Sequence, residues 1–316
     1  MTAIMPPIVT LTMNPALDEN SSVEYVFSDA KLRCQAPRQE PGGGGINVAR
    51  AVARLKGEAL AIYAAGGPSG DLLGKLLEGE GVPRLVIPIA EWTRRNVNVR
   101  ENTTGRQYRF VFPGPTLSEN EWRRCLDTLK RVRPRPEFVV ASGSLPPGVP
   151  VDFYARVAGI ARELKARFVL DASGKPLRLA VEEGVFLVKP SLDEFQQLTG
   201  GGTRAESSLA EAARHLIAKG HCEAVVLSLG GGGALWVTAA QQERLVAPTV
   251  PVASSVGAGD AMVAGIVLSL VRGKSLPEAV RFGVAAGAAS VMNPGTELCR
   301  REDAERLFEQ MRAIAV

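Results

Sequence analysis

Residues 254–271 read SSVGAGDAMVAGIVLSLV, with one acid, Asp260, among glycines and small apolar residues. A carboxylate at the mouth of an apolar helix is costly to bury unless something uses it. Two roles are open to it. As an N-cap it would accept hydrogen bonds from the first backbone amides of the helix. As a general base it would take the proton of a hydroxyl attacking phosphorus. In that case the amides of Gly257, Ala258 and Gly259 would form an anion hole at the positive end of the helix. The helix terminus should keep the carboxylate ionised and therefore weakly basic. A weak base suffices for phosphoryl transfer, where positioning and charge stabilisation dominate.

Further along the chain, Gly42 to Gly45 precede Ile46 and Asn47. Such a run is either a flexible loop or a place where backbone approaches a ligand closely. It is not a dinucleotide fingerprint, because Asn47 stands where the last glycine would fall. The amide of Asn47 suits sugar hydroxyls. A Walker A loop is absent, since ahead of Gly273-Lys274-Ser275 its first glycine would fall at Leu268. Asp18 follows the first apolar run as a turn acid or as a ligand for sugar hydroxyls at a strand end. Arg94 and Arg95 read as surface charges or as a phosphate clamp. The glycine-rich turns at 142–148 and 228–234 close two more apolar runs. Several such strand ends converging imply one shared ligand edge.

The elements that would carry these residues alternate. Short apolar runs at 8–12, 59–64, 138–141, 167–171, 185–188 and 224–229 read as strands. Amphipathic runs at 46–55, 71–79, from about 151, and at 209–219 read as helices, with further helices at 258–272, 275–292 and 301–314. Continuous rather than alternating apolar strands indicate a mostly parallel sheet covered on both faces. A hairpin breaks this rhythm at 95–113. Val97 and Val99 alternate with polar residues, a turn follows at 102–105, and Tyr108, Phe110 and Phe112 return on one face. An isolated hairpin is marginal, so the extended polar segment 21–37 is expected to pair with it as a small separate sheet.

A chain of 316 residues, 46% hydrophobic and 22% charged, can bury a large core and is not disordered. The net charge of +4 comes without a basic stripe, which points away from nucleic acid and reads either as a solvated surface or as suited to a small acidic substrate such as a phosphate ester. Four dispersed cysteines with no CxxC pair, and no leader pattern, fit reduced thiols in the cytoplasm. Only two histidines are present, so a histidine-built metal site is not expected. No apolar run is long enough for a membrane span.

In order along the chain, residues 14–18, 42–47 and 142–148, Lys189-Pro190 with Glu194, 228–233 and 256–260 together resemble the PfkB, or ribokinase-like, carbohydrate kinase family. The resemblance covers essentially the whole chain as one domain, 1–316. The stretches LRCQAP, EWTRRN, QYRFVFPG and RFGVAAGAASVMNPGTELC are similar to the bacterial minor-isozyme-type 6-phosphofructokinase branch. It implies an α/β fold, a ribokinase-like three-layer αβα sandwich with a mostly parallel central sheet and a small β-sheet lid at about 19–37 and 92–114. It further implies phosphoryl transfer from Mg-ATP to a phosphorylated ketohexose, with fructose 6-phosphate first, tagatose 6-phosphate or fructose 1-phosphate as alternatives, and a non-catalytic sugar-phosphate sensor as the contrasting reading.

Carried over from that resemblance, Asp260 is the base, with Gly257, Ala258 and Gly259 as the anion hole. Asp18, Gly43, Gly44, Asn47 and Ser144 would hold the sugar, and Arg94 its phosphate. Lys31, Lys189, Ser191, Ser228, Gly230, Gly233, Val284 and Ala288 would surround ATP. Glu194 would act on Mg2+ indirectly. Backbone carbonyls near Ser254, Val256, Asn293 and Gly295 would hold a monovalent cation, K+. A homodimer through the lid is implied. Two positions depart from the pattern: Ser191 replaces the asparagine usual after Lys-Pro, and Glu297 stands where relatives can carry arginine.

Overall fold

The computed structural model describes residues 7–201 and 205–314. Thirteen strands run in chain order as β1 (Ile8–Thr12), β2 (Ala16–Val23), β3 (Arg38–Gly42), β4 (Ala59–Ala65), β5 (Arg84–Pro88), β6 (Arg94–Glu101), β7 (Gln107–Phe110), β8 (Phe138–Ser142), β9 (Arg167–Asp171), β10 (Val185–Val188), β11 (Cys222–Ser228), β12 (Ala234–Thr238) and β13 (Gln242–Leu245). Among the described residues the helices are α1 (Gly44–Arg54), α2 (Gly67–Gly79), α3 (Glu119–Arg131), α4 (Phe153–Leu164), α5 (Gly174–Glu182), α6 (Leu192–Thr199), α7 (Glu206–Ala218), α8 (Ala258–Val271), α9 (Leu276–Val291) and α10 (Arg301–Ile314).

Nine strands form the large sheet in the order β13-β12-β11-β10-β9-β8-β1-β4-β5. All neighbours are parallel except β11–β12 and β12–β13. Side chains of β1 alternate between two cores. Ile8 faces the α1, α8 and α9 side, while Val9 and Leu11 face the α3, α4 and α5 side. That burial on both faces is why these strands read as continuous apolar runs. Progress along the sheet reverses at β1, which lies between β4 and β8. In such sheets the crevice for ligands opens at the C-terminal strand ends at this reversal. The chain leaves β1 towards Asp18 there, and Ser142, Asp171 and Ser228 end β8, β9 and β11.

The small sheet runs β3-β2-β6-β7. Its composition differs from the expectation. Residues 21–23 pair with the hairpin as expected, but as the end of β2, which runs parallel to β6 with Ala16 opposite Arg94 and Val23 opposite Glu101, while segment 24–37 holds no strand. Polar side chains set that register. The Asn96 amide donates to Asp18 and that of Asn98 to Asn20, at 2.8 and 3.0 Å. A ladder of amides carries no apolar alternation, so β2 was hidden from a hydrophobicity reading. As expected, Val97 and Val99 lie opposite Phe110 and Tyr108. In the single chain Phe110 and Phe112 remain 53% and 51% exposed.

Helix α8 is buried continuously from Ala261 to Leu270, as a helix apolar all round must be. It crosses α9 at two glycines. A Cβ on Gly283 would sit 2.5 Å from Ile266 Cγ1 and 2.8 Å from the Met262 carbonyl oxygen. Gly283→Ala should therefore overpack the crossing at about 1–3 kcal/mol. Calorimetry should read this as a Tm drop of several degrees, and an unchanged Tm would mean that the helices separate freely.

Candidate active site

Asp260 is not an N-cap. Gly257 occupies that position with φ 78°, in the left-handed region that favours glycine, and Asp260 lies in the first turn of α8. Its carboxylate is spanned by two donors from different elements. The Asn47 amide of α1 reaches Oδ2 at 3.0 Å, and the Ser142 hydroxyl at the end of β8 reaches Oδ1 at 3.2 Å. Lys189, just past β10, pairs with Asp171 at 3.2 Å, and its Nζ lies against Gly259. Burial first, and then the Asp171 carboxylate, push Asp260 up to about 7, against the pull of Asn47, Lys189 and Ser142. This corrects the expectation of a firmly ionised acid. The helix end is outweighed by desolvation and by a second carboxylate.

Two cavities meet at the start of α8. One, of about 240 Å³, is lined by Gly44, Ser142, Ser144, Asp171, Glu194 and Asp260. The other, of about 460 Å³, is lined by Ser228, Gly230, Gly233, Ala258, Gly259, Val284 and Ala288 among others. Successive residues of one helical turn thus face different cavities. Gly43, the N-cap of α1, and Gly44 bring that helix's first turn to the smaller one. Ser144 accepts a hydrogen bond from the Asn14 amide at 3.0 Å.

Asp18 is buried and raised by that burial, while Asn96, Arg94, Arg109 and Arg50 draw it down. Arg94 donates to the carbonyls of Phe112 and Asn14 at 3.0 and 2.9 Å, and its Nε is buried without a partner. Burial draws the Arg94 guanidinium down, and the nearby Asp18 carboxylate supports its charge. Ser191 caps α6, where the Glu194 carboxylate accepts from the Ser191 backbone N–H at 2.7 Å. Lys31 is exposed on the connection 24–37 and lines neither cavity. Ser254, Val256 and Gly295 share a third cavity of about 300 Å³ between the small sheet and the loop after α9. The Asn293 side chain turns inward and donates to the Ala289 and Leu298 carbonyls, both at 3.2 Å.

Four participants escaped sequence reasoning. Ser142 was visible only as part of a turn. Asp171 ended a predicted strand, where a strand-end acid was signal enough. Arg109 sits between the aromatics of β7, on the face opposite to theirs. Arg50 is hidden inside α1.

The pfkB family carbohydrate kinase profile matches residues 9–303. The chain belongs to the pfkB family of carbohydrate kinases. The ATP-dependent 6-phosphofructokinase isozyme 2 of Mycobacterium tuberculosis H37Rv is 50% identical to this pfkB kinase, covering 96% of this chain and 89% of the relative. The Escherichia coli K12 protein of the same name is 41% identical, covering 95% and 97%. The crystal structure of phosphofructokinase-2 from Escherichia coli in complex with potassium has a TM-score of 0.93 to this pfkB kinase at 40% identity, covering 98% of this chain and 100% of that one.

The raised Asp260 has a stability signature. Between its ordinary value of 3.8 and about 7, the folded chain holds a proton there that the unfolded chain has released. Its contribution is therefore lost as pH rises through about 7. Asp260→Asn cannot ionise. It should raise Tm over the parent at about pH 8, and the gain should shrink towards about pH 4. Parallel Tm curves across that range would show that the carboxylate is not raised.

Proposed function

We propose that this pfkB kinase transfers the terminal phosphoryl group of ATP to the 1-hydroxyl of fructose 6-phosphate, giving fructose 1,6-bisphosphate and ADP. One observation carries the reading: Ala258 and Gly259 line the larger cavity while Asp260, next in sequence, lines the smaller. A phosphoryl group moving from nucleotide to sugar crosses the N-terminus of α8. There the amides of Gly257, Ala258 and Gly259 stabilise the charge on its oxygens. In that step the sugar oxygen bonds to phosphorus and the bond to the β–γ bridging oxygen breaks. ADP leaves with the electron pair, and the hydroxyl proton passes to Asp260. Similarity to two proteins named ATP-dependent 6-phosphofructokinase isozyme 2 supports the choice of sugar.

In this reading Val284 and Ala288 give the nucleotide an apolar wall, and Ser228, Gly230 and Gly233 bring backbone and hydroxyl groups to it. Lys189 and Ser191 flank that site from the end of β10, and Lys31 reaches it only if segment 24–37 moves. Asp18, Gly43, Gly44, Asn47 and Ser144 hold the sugar, and Arg94 grips its phosphate with Arg109 nearby. Among the described residues no cluster of three or more metal-ligating side chains occurs. That suits magnesium, which keeps waters and shares phosphate oxygens with one or two carboxylates. Glu194 and Asp171 are the carboxylates for it, and the ion would neutralise phosphate charge. For potassium, the buried Ser254 and Asn293 and the half-buried Val256 and Gly295 would present carbonyls near a loop that the Asn293 side chain braces. Two copies pairing through their lids would cover Phe110 and Phe112, and Tyr25 and Phe27 on the connection 24–37 are likewise exposed. Among the described residues no helix is long and apolar enough to cross a membrane, and we assign the enzyme to the cytoplasm.

Steady-state rates with fructose 6-phosphate, tagatose 6-phosphate and fructose 1-phosphate test the reading. kcat/KM should favour the first by about 10-fold or more. A preference for either other sugar reassigns the substrate, and binding without ATP consumption leaves a sensor. In the same assay Asp260→Asn should lower kcat by about 10²- to 10⁴-fold.

Arg94→Ala should raise KM for the sugar phosphate about 10- to 100-fold and leave that for ATP within about twofold. The opposite pattern would move Arg94 to the nucleotide.

A further inference from the structure

Arg50 is only 1% exposed and the largest fully buried side chain among the described residues, yet beyond its pull on Asp18 nothing above gives it a task. It follows Asn47 by one turn on the same face of α1. Its Nε and Nη2 donate to the two carboxylate oxygens of Glu80, at 2.9 and 2.7 Å. A bidentate pair of this kind fixes the plane of the guanidinium. With the plane fixed, Nη1 points at three acceptors. These are the Pro41 carbonyl at 2.8 Å, the Asn47 Oδ1 at 3.3 Å and the Thr296 carbonyl at 3.4 Å.

The contact with Asn47 decides an orientation. An asparagine amide presents an acceptor on one side and donors on the other, and the two ends exchange when it turns over. Guanidinium is donor-only, so Arg50 accepts only the oxygen end as its neighbour. With Oδ1 held by Arg50, Nδ2 faces Asp260 at 3.0 Å. The reversed amide would set an oxygen against the Asp260 carboxylate and N–H groups against the guanidinium, two repulsive contacts at once. The same Nη1 also ties the end of β3 and the loop carrying Gly295 to α1. Arg50 therefore joins the root of the small sheet to the group that aims the carboxylate.

We propose that Arg50 is a positioning residue for Asp260, acting through the amide of Asn47. The proposal rests on the reading of Asp260 as the base. A purely stabilising Arg50–Glu80 ion pair is the competing account, and coupling to Asn47 separates the two.

The experiment is a double-variant cycle of Arg50→Lys and Asn47→Ala, assayed well below the Tm of each protein. Arg50→Lys keeps the charge and loses the fork. It should lower kcat about 10- to 100-fold with KM for ATP within about twofold. In the Asn47→Ala background the same change should alter kcat by less than about twofold, because the amide it orients is gone. A parent-like kcat in Arg50→Lys overturns the proposal, as do losses that multiply in the double variant. Should Arg50→Lys fail to fold, Arg50→Met combined with Glu80→Leu removes both partners of the ion pair together, a replacement that cores tolerate. It carries the same two forecasts and the same refutation. An inactive parent chain would instead refute the kinase reading, before any variant is made.

Discussion

A carboxylate buried at the mouth of an apolar helix is the constraint on which the rest of the site depends. Asp260 keeps a usable charge only because Asn47, Ser142 and Lys189 surround it, each from a different element. The opposing influences are larger than the helix end supplies. A helix terminus contributes about 0.3–1 kcal/mol, less than one pKa unit. Desolvation and Asp171 carry the group from 3.8 to about 7. The outcome suits the base proposed for Asp260, since a group poised near neutrality both loses and accepts a proton at working pH. Asp171 and Lys189 are then more than a salt bridge. They set the field in which the acid next to them titrates.

Holding those partners in place is the work of topology. Ser142, Asp171 and Lys189 come from the C-terminal ends of three adjacent parallel strands, β8, β9 and β10, so their spacing follows from sheet geometry. Asn47 comes from α1, whose N-terminus is fed by β3 of the small sheet. That small sheet is tied to the large one through buried polar groups. Glu40 of β3 accepts from the Thr296 backbone N–H and hydroxyl at 2.9 and 2.7 Å. Gly295 passes so close that a Cβ there would meet Glu40 at 2.8 Å. A displacement of β3 would therefore be felt in the loop after α9 and, through Pro41 and Arg50, at Asn47.

Much of this arrangement was legible in the sequence, for identifiable reasons. Strands buried on both faces leave continuous apolar runs, and glycine clusters mark strand ends, so the large sheet and its ligand edge could be read directly. The run from Gly257 to Asp260 marked the glycine-bared start of α8 in its composition. What stayed hidden depends on long-range polar pairing. Strand β2 is built on Asp18 and Asn20 facing Asn96 and Asn98, a pattern with no hydrophobic period. Strands β12 and β13 are short, five and four residues, and the apolar runs that read as strands end at 224–229 without including them. The raised Asp260 requires Asp171 beside it, and Asp171 lies 89 residues earlier (260 minus 171). Local sequence exposed a helix dipole but not the second carboxylate that outweighs it.

In the proposed reading, phosphoryl chemistry and sugar choice occupy different parts of this molecule. The start of α8 lies half-buried over the strand ends of the large sheet and is densely paired with them. The groups around Asp18 belong to the small sheet: Asn96, Arg94 and Arg109 stand on β6 and β7. Those two strands are partly exposed, and Phe110 of β7 and Phe112 just after it lie open in the single chain. On that reading, substitution in β6 or β7 alters chiefly the grip on the sugar phosphate, and substitution at the start of α8 alters chiefly the transfer. A fold divided in this way can change its sugar by remodelling a few lid positions. Register is the limit on such change. Because β2 contributes both Asp18 to the site and Asn20 to the ladder, a one-residue slip would turn both away together.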